Sequence, residues 1–291
     1  MLLKKVCIIG WGNISRYVKY SIDNSNEFEL AGVVRRKKSL DNIDLELSTV
    51  KVVDNIDKLD DIDIAVLCVP EKNIEILTEE LIDKGISCIN CSDDEKISYK
   101  YMYNRFNEQI QNKNINIFHG FGFNNGIKDI IKNTIDFMTD TGISYENIGP
   151  GIDMKYTSIV RNINGVKNAL VFVEPLSMFK HSIKIYIELN ENVDFIDIRK
   201  HILSEIEFRY ENVDIELVED VRKYFSMNMK YNYTKAGASS RAFNQNMNFN
   251  MNVNMAGLTA NILVNGMKEM KKYSGGVYNI KHIFLNKYSK Y

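Results

Sequence analysis

The segment VCIIGWGNISRYVKY, residues 6–20, decides the fold of this chain. An apolar run ends at Gly10, a second glycine follows at Gly12, and a helical pattern then begins. A dinucleotide-binding fold needs a tight turn with a bare backbone at this junction, because the pyrophosphate lies against the amides of the next helix N-terminus. The segment therefore predicts a strand, a phosphate-binding turn and a helix over 13–23.

Ser15 stands where the glycine-rich pattern has its third glycine, which lets the helix and the strand pack closely. A serine side chain is small, so we expect a slightly wider contact and a turn that still works. A tight structural turn without a ligand is the alternative. The predicted cofactor-binding residues of the turn are Gly10, Trp11, Gly12, Asn13 and Ile14.

Short apolar runs alternate with helical patterns through the first 120 residues. Nearly continuous apolar strands separated by helices are typical of a parallel sheet that is covered on both faces. The sequence therefore predicts an α/β fold with a Rossmann-type, doubly wound parallel sheet. The predicted strands cover 5–10, 29–36, 49–53, 62–70, 86–92 and 115–121, and the predicted helices cover 13–23, 71–84 and 96–111.

The pattern changes after a predicted helix over 125–139. Three extended runs and one helix follow, which is typical of a mixed or antiparallel sheet in a second, α+β domain. The runs are 168–175, 182–189 and 213–220, and the helix covers 194–208. We predict a dinucleotide-binding domain over 1–121, completed by about 256–291, and a substrate and dimerisation domain over 122–255.

The stretch NMNFNMNVNM, residues 246–255, has asparagine at every even position and an apolar residue at every odd one. Strict alternation predicts a strand with one buried face. The asparagine row either lines a polar cleft or covers an exposed face of a sheet, and we favour the exposed face.

The overall composition is that of an ordinary globular protein. The chain has 291 residues, 45% of them hydrophobic and 26% charged, with a formal net charge of −1. Such a balance offers no basic, aromatic-interleaved face for nucleic acid, and the apolar runs are shorter than the roughly 20 residues of a membrane span. Residues 1–10 lack the apolar core of a signal peptide, so we expect a cytoplasmic protein without nucleic-acid or membrane partners.

The four cysteines include one Cys-x-x-Cys pair, Cys88 and Cys91. No second pair and no nearby histidine completes a set of zinc ligands. The pair also lies in a predicted strand, where positions three apart point to opposite faces. We therefore expect no metal and reduced thiols.

The residues that follow the second strand predict the kind of nicotinamide cofactor. Arg35 and Arg36 stand where an acid would accept hydrogen bonds from the ribose of NAD. A guanidinium instead pairs with the 2′-phosphate of NADP. The sequence therefore favours NADP(H), held by Arg35 and Arg36, and a solvated charge run is the alternative.

Ligands of an open α/β sheet bind at the carboxyl ends of its parallel strands. Cys68, Val69, Pro70 and Ser92 lie in such loops and are predicted to contact the cofactor. Asp93 follows directly, with Asp94 as its alternative in register. A carboxylate there can accept hydrogen bonds from a substrate ammonium or take up a proton. The alternative is that both acids cap the following helix.

The chain resembles the meso-diaminopimelate dehydrogenases along most of its length. The resemblance rests on the glycine turn with Asn13 and Arg16, VVRR at 33–36, VLC at 66–68, the aspartate loop, the glycine-rich loop at 120–126, GPGI at 149–152 and VRNINGVKNALVFVEP at 160–175. It implies an NADPH-dependent homodimer with a small-molecule substrate. In such enzymes the nicotinamide takes hydride from the D-configured α-carbon of a diamino diacid, the imine is hydrolysed and ammonia leaves.

The second loop departs from the family pattern. The family has Gly-Trp-Asp-Pro-Gly where this chain has Gly122-Phe123-Asn124-Asn125-Gly126. The resemblance implies a substrate contact for Phe121, Gly122 and Phe123 and a catalytic place for Asn124. Asparagine donates and accepts hydrogen bonds, but it cannot act as an anionic base.

The second domain departs as well. The resemblance implies substrate contacts for Tyr156, Val173 and Asn252, and it places Tyr156 where many members have histidine and Val173 where they have threonine. Ser182 falls near the family's arginine. A buried carboxylate without a cationic partner is costly, so we expect weak or shifted dehydrogenase activity. Reduction of another imine or oxo compound, and a catalytically silent NADP-binding dimer, remain as alternatives.

Overall fold

The computed structural model describes residues 3–41, 43–139, 141–177, 180–224, 227–239 and 241–288. The contacts divide the chain into two compact units, Met1–Ile131 with Ala256–Tyr291, and Lys132–Met255. The boundaries of these units lie at 131/132 and 255/256, and Phe121 is buried in the core of the first unit.

The secondary structure follows the predicted alternation. The strands are β1 (Lys4–Ile9), β2 (Phe28–Val34), β3 (Val52–Val53), β4 (Ile64–Leu67), β5 (Ser87–Asn90), β6 (Asn116–Phe118), β7 (Thr141–Ile148), β8 (Gly151–Ile152), β9 (Val166–Ser177), β10 (Lys180–Leu189), β11 (Asn212–Leu217), β12 (Met229–Ser239), β13 (Ala242–Val253) and β14 (Gly276–Tyr278). The helices are α1 (Asn13–Asp23), α2 (Ile74–Asp83), α3 (Tyr99–Ile110), α4 (Lys128–Met138), α5 (Met154–Arg161), α6 (Phe195–Ser204), α7 (Met255–Met270) and α8 (Ile280–Tyr288).

The first unit is built on a seven-stranded sheet in the order β14-β6-β5-β4-β1-β2-β3. Its strand pairs are parallel. Val6 and Ile8 of β1 enter the core on one face of this sheet, and Cys7 and Ile9 enter the core on the other. A strand that is buried on both faces needs apolar residues at consecutive positions, as β1 has. The predicted Rossmann-type sheet is confirmed.

The C-terminal segment completes the first unit. β14 pairs in parallel with β6 and adds an edge strand. Leu263 and Met267 of α7 are buried in the same core as β1. The segment 275–284 therefore packs on the first unit, as the sequence predicts.

The second unit contains two sheets. The larger has the order β11-β10-β9-β8, with β10 and β11 parallel and the other pairs antiparallel. Val160 of α5 and Ile202 of α6 pack on its buried face, beside Ile183 and Ile185. The smaller sheet is antiparallel in the order β13-β12-β7. The predicted second domain with a mixed sheet is therefore present.

The asparagine-rich strand is β13. Its odd-numbered apolar residues are partly buried, and its asparagines from Asn246 to Asn252 are exposed. Asn248 lies opposite Thr234 of β12, whose Oγ1 donates to Asn248 Oδ1 over 2.7 Å. The favoured interpretation, an exposed sheet face, therefore matches the structure. Among the helices of the described residues, none is long and apolar enough to cross a membrane.

Candidate active site

The turn between β1 and α1 has the backbone that a phosphate site needs. Gly10 has φ of +94°, and a Cβ there would lie 2.2 Å from the carbonyl oxygen of Cys68. Only glycine fits such a conformation and such a contact. A Cβ at Gly12 would meet open space. The main chain at Gly12 is therefore accessible to a ligand, as the pattern predicts.

Ser15 is fully buried and caps the helix. Its Oγ accepts from the amide of Gly12 over 2.6 Å and donates to the Gly12 carbonyl over 2.8 Å. These two hydrogen bonds close a ring between Ser15 and Gly12. The slightly wider helix–strand contact stays a prediction. Asn13 and Ile14 begin α1, where the first amides of a helix have no intrahelical acceptor. These amides, with the positive end of the helix dipole, fit a pyrophosphate.

Trp11 adds a second indication of a ligand at the turn. Its indole Nε1 is buried and has no hydrogen-bond partner among the described residues. An unpaired buried donor costs about 1–3 kcal/mol, which an acceptor oxygen of a bound cofactor would offset. The guanidinium of Arg16 lies over the Trp11 ring, 5.4 Å from its centroid. The turn therefore fits a dinucleotide on the observations of this chain alone.

An acid lies beside the arginine that is predicted to hold the 2′-phosphate. Asp44 Oδ1 is 3.3 Å from Nη2 of Arg16, and Asp44 Oδ2 is 3.9 Å from Nη1 of Arg35. Arg36 is exposed at the start of the short helical turn Lys37–Ser39. Asp44 is a functional residue that no motif in the sequence marks, because its contact with Arg35 forms only when the chain folds.

The loop after β4 lies against the phosphate turn. Cys68 donates its amide to Ile9 over 2.8 Å, and Val69 borders Gly10. Burial, with the neighbouring Cys91, raises the pKa of Cys68 well above its usual range. The thiol is therefore neutral and serves packing. Pro70 opens the turn Glu71–Asn73, which presents Glu71 to the next loop.

Glu71 joins the loops after β4 and β5. Ser92 Oγ donates to Glu71 Oε2, and the amide of Asp93 donates to Glu71 Oε1 over 3.4 Å. Burial raises the pKa of Glu71, the hydrogen bond from Ser92 opposes this, and the charge of Asp93 adds to the rise. No motif in the sequence marks Glu71, since a glutamate one residue after a proline is not part of a recognised pattern.

Asp93 and Asp94 take different places. Asn124 Nδ2 donates to Asp93 Oδ2 over 3.0 Å, so Asp93 lies at the junction of the loops after β5 and β6. Asp94 Oδ1 accepts from the amide of Lys96 over 2.9 Å. The alternative interpretation, a cap of the following helical turn, thus describes Asp94. Asp93 is the acid that the structure brings together with Asn124.

Asn90, the last residue of β5, holds these loops in register. Its Oδ1 accepts from the amide of Ser92 over 3.1 Å and from the amide of Gly120 over 3.3 Å. Its carbonyl accepts from the amide of Phe121 over 2.8 Å. Asn90 is fully buried, and its hydrogen bonds connect the loops after β5 and β6. No motif marks Asn90 in the sequence, because it falls within a predicted strand.

The aromatic side chains of the loop after β6 are buried. Phe121 stacks on Phe118 with ring centroids 4.7 Å apart, and Phe123 is buried as well. A Cβ at Gly122 would lie 3.2 Å from the Cys91 carbonyl, so the loop packs tightly on β5. The side chain of Phe121 is therefore part of the core of the first unit. The exposed Asn124 is what this loop presents.

The remaining predicted substrate residues belong to the second unit. Tyr156 lies on α5 and packs edge-on against Phe208, with centroids 5.4 Å apart, and burial raises its pKa. Val173 is buried in the core beneath β9, because its side chain is on the inner face of that sheet. Asn252 is on the exposed face of β13. Within this unit, the three residues therefore lie on a helix, in a core and on an open face.

Metal ligation has no support in the part of the chain that the structure describes. No group of three or more histidine, cysteine, aspartate or glutamate side chains there could hold an ion. The carboxylate groups that follow β4 and β5, Glu71, Asp93 and Asp94, each accept hydrogen bonds from protein groups.

Comparisons with known proteins agree with this geometry. Residues 3–92 match the family described as CoA binding domain. A meso-diaminopimelate D-dehydrogenase of Bacteroides fragilis is 31% identical over 283 residues, which is 97% of this chain and 94% of that protein. The structure of the C. glutamicum DAP dehydrogenase in complex with DAP superposes with a TM-score of 0.73 at 18% identity, over 96% of this chain and 93% of that one. An engineered D-amino acid dehydrogenase bound to NADP+ gives 0.72 at 17% identity, over the same shares of 96% and 93%.

The parallel sheet, the glycine turn and the acid cluster at the carboxyl ends of the strands define a dinucleotide-dependent oxidoreductase. The chain belongs to the family of the meso-diaminopimelate D-dehydrogenases. The resemblance stated from the sequence is thereby confirmed, and so is the enzyme class that it implies.

Proposed function

We propose that this protein is an NADP-dependent amino-acid dehydrogenase that oxidatively deaminates the D-configured centre of an amino acid, or runs the reverse reductive amination. The observation that carries the proposal is the position of Asp93. It lies at the carboxyl end of β5, its amide is bound by Glu71, and its carboxylate is bound by Asn124. Names of the relatives support the reaction class.

NADP+, when bound, supplies the hydride acceptor. The overall change converts an amino acid, NADP+ and water to a 2-oxo acid, NADPH, ammonium and a proton. The amides of Asn13 and Ile14 hold the pyrophosphate at the start of α1. Asp93 accepts hydrogen bonds from the substrate ammonium and takes up a proton while the imine is hydrolysed. Asn124 keeps the Asp93 carboxylate in one orientation.

NADPH is the proposed form of the cofactor because Arg35 and Arg36 follow β2. A guanidinium forms paired, charge-assisted hydrogen bonds with a phosphate, whereas NADH offers only hydroxyls at that place. Fluorescence titration of both cofactors tests the proposal. We expect tighter binding of NADPH, with the preference lost in R36A, and equal affinities that R36A leaves unchanged would contradict it.

The substrate is proposed to have a distal end without a second carboxylate. Val173 and Ser182 stand near the places of a threonine and an arginine in the family pattern, and Val173 is buried in the core. A buried carboxylate without a cationic partner would be costly. We therefore expect D-amino acids with neutral side chains to be turned over better than meso-diaminopimelate.

A panel of amino acids and imines, followed by the absorbance of NADPH, tests the reaction and the substrate together. Turnover of D-amino acids that D93A abolishes supports the proposal. Rapid, D93A-sensitive turnover of meso-diaminopimelate would overturn the shifted substrate and keep the reaction. Turnover of oxo compounds or imines without any amino acid would indicate another reductase. Cofactor binding without turnover would indicate a silent NADP-binding protein.

A homodimer in the cytoplasm is also part of the proposal. Ile143 and Tyr145 of the edge strand β7 are 62% and 47% exposed. They lie on the same face as the exposed asparagines, since Tyr145 and Asn248 both pair with Thr234. Apart from Lys230, which pairs with Asn252, this face consists of amides, hydroxyls and apolar groups, so it can pack against its own copy with little charge repulsion. Light scattering on the purified protein measures the subunit number, and a monomer at micromolar concentration would contradict the dimer.

A further inference from the structure

Glu71 is held on both of its carboxylate oxygens. One oxygen accepts from the hydroxyl of Ser92 and the other from the amide of Asp93. Glu71 begins the turn after β4, while Ser92 and Asp93 follow β5. Since β4 and β5 are neighbouring parallel strands, Glu71 reaches sideways along the edge of the sheet to the acid of the next loop.

The charges of this cluster act on one another. Asp93 and Asp94 both contribute to the raised pKa of Glu71, after burial as the largest cause. Burial raises the pKa of Cys91 to about 12, and the charges of Glu71 and Asp93 add to that rise. Acids that raise the proton affinity of neighbouring groups form a local negative potential. Such a potential favours a cationic ligand.

The loop after β6 contributes no negative charge at Asn124. Asn124 stands where the family signature has an aspartate, so the β6 loop presents an amide to Asp93. An amide orients a neighbouring carboxylate but brings no charge to an ammonium or an iminium. Glu71 accepts from the Asp93 amide and brings that charge from the loop after β4.

We propose that Glu71 is a positioning residue that supplies the second carboxylate of the site, fixing the Ser92–Asp93 segment and adding the negative charge that Asn124 lacks. This proposal rests on the proposed deamination, because a protonated amine is the ligand that two carboxylates favour. Glu71 acts through Asp93. It holds the Asp93 amide in place, and its charge stabilises the cationic amine and iminium that Asp93 contacts.

Two substitutions separate the charge of Glu71 from its hydrogen bonds. E71Q keeps an acceptor for the Asp93 amide and a polar partner for Ser92, but it removes the charge. E71A removes both. E79Q is the matched control, because Glu79 lies on α2, pairs with Arg105 over 3.0 Å and is outside the cluster. Thermal unfolding of each variant first establishes that it is folded.

The charge predicts a specific kinetic result. We expect E71Q to raise KM for the amino acid by about fivefold to tenfold, which corresponds to about 1–1.4 kcal/mol, with a smaller change in kcat. The fall of kcat/KM on the acid side of the pH profile should shift in E71Q, because the charge of Glu71 beside Asp93 is gone. E71A should lose kcat as well, and E79Q should match the wild type. If E71Q has the KM and the pH profile of the wild type, the charge of Glu71 has no role and the proposal is overturned.

A readout without turnover keeps this test independent of the proposed function. Side-chain carboxyl carbons of 13C-labelled glutamate are titrated by NMR in the cofactor-free wild type and in D93N, with the Glu71 signal assigned by its absence in E71Q. Loss of the Asp93 charge should lower the pKa of Glu71. An unchanged pKa would overturn the cluster. If the wild type turns over no substrate, the proposed dehydrogenase activity is overturned. The titration still shows whether Glu71 and Asp93 interact.

Discussion

Asp44 Oδ1 lies 3.3 Å from Nη2 of Arg16, so an acid of the protein occupies the cationic end of the cofactor site. The same carboxylate is 3.9 Å from Arg35, which is proposed to hold the 2′-phosphate. A phosphate that binds there must compete with Asp44 for the guanidinium groups. The affinity for NADPH is therefore set by a balance between an internal and an external anion.

D44N tests this competition. Removing the charge should tighten NADPH binding by up to about fivefold, since partly exposed ion pairs contribute about 1 kcal/mol or less. NADH binding should change little, because its ribose carries no phosphate. Calorimetric titration of both cofactors measures the two affinities. The control is D60N, which removes an exposed acid beside Lys51. Weaker binding of NADPH to D44N would show that Asp44 orients the arginines instead of competing.

Ser15 gives a prediction on stability. S15A loses both hydrogen bonds with Gly12 and should cost about 1 kcal/mol, and S15G should cost about 1 kcal/mol more because glycine is a poor helix former. Y20A, at an exposed position of the same helix, is the control and should cost less than about 0.5 kcal/mol. Urea unfolding measures the differences. If S15G is as stable as the wild type, the ring of hydrogen bonds does not support the helix.

Much of the first unit could be predicted because its apolar strands and its glycines follow from local needs, namely burial and backbone conformation. Gly10 needs a positive φ and a bare contact with Cys68, which only glycine allows. The apolar strand β1 needs burial on both faces. By contrast, β7 and β12 have weaker alternation and no predicted strand covers either of them. β12 pairs with β13 on one side and with β7 on the other, and this pairing supplies the support that their own sequences lack.

The sequence predicts the strand-end loops of the site. It does not predict the residues whose roles depend on tertiary contacts. The position of Asp93 follows from strand order, but its choice over Asp94 is decided by Asn124, thirty-one positions away in the chain. Glu71 and Asp44 reach the site from loops that carry no motif. The resemblance implies a substrate contact for Phe121 and Val173, and the structure shows that both side chains are buried in cores, as apolar groups usually are.

N124D would restore the acid of the family signature and place two carboxylates at hydrogen-bond distance. Since like charges there cannot both ionise at low cost, the pair should hold a proton to higher pH than in the unfolded chain. Stability is then lost as the pH rises, by about 1 kcal/mol or less at this exposed site. Thermal unfolding at about pH 5 and about pH 8 measures this. N124S, which removes the hydrogen bond without adding charge, is the control. An equal loss for both variants at both values of pH would contradict the charge argument.

His119 makes the folding stability depend on acidity. Burial lowers its pKa from 6.5 to about 4, and a hydrogen bond to the main chain of Ile97 opposes this. Because the unfolded chain binds the proton more tightly, the free energy of unfolding should fall as the pH drops from about 6.5 to about 4, by about 3 kcal/mol at most. H119Q removes this titration and should flatten that part of the profile. Urea unfolding across this range compares H119Q with the wild type and with H201Q, which removes an exposed imidazole. Burial lowers the pKa of His282 as well, so His282 contributes a slope of the same sign in every variant. Parallel profiles for the wild type and H119Q would show that His119 is not held neutral by its burial.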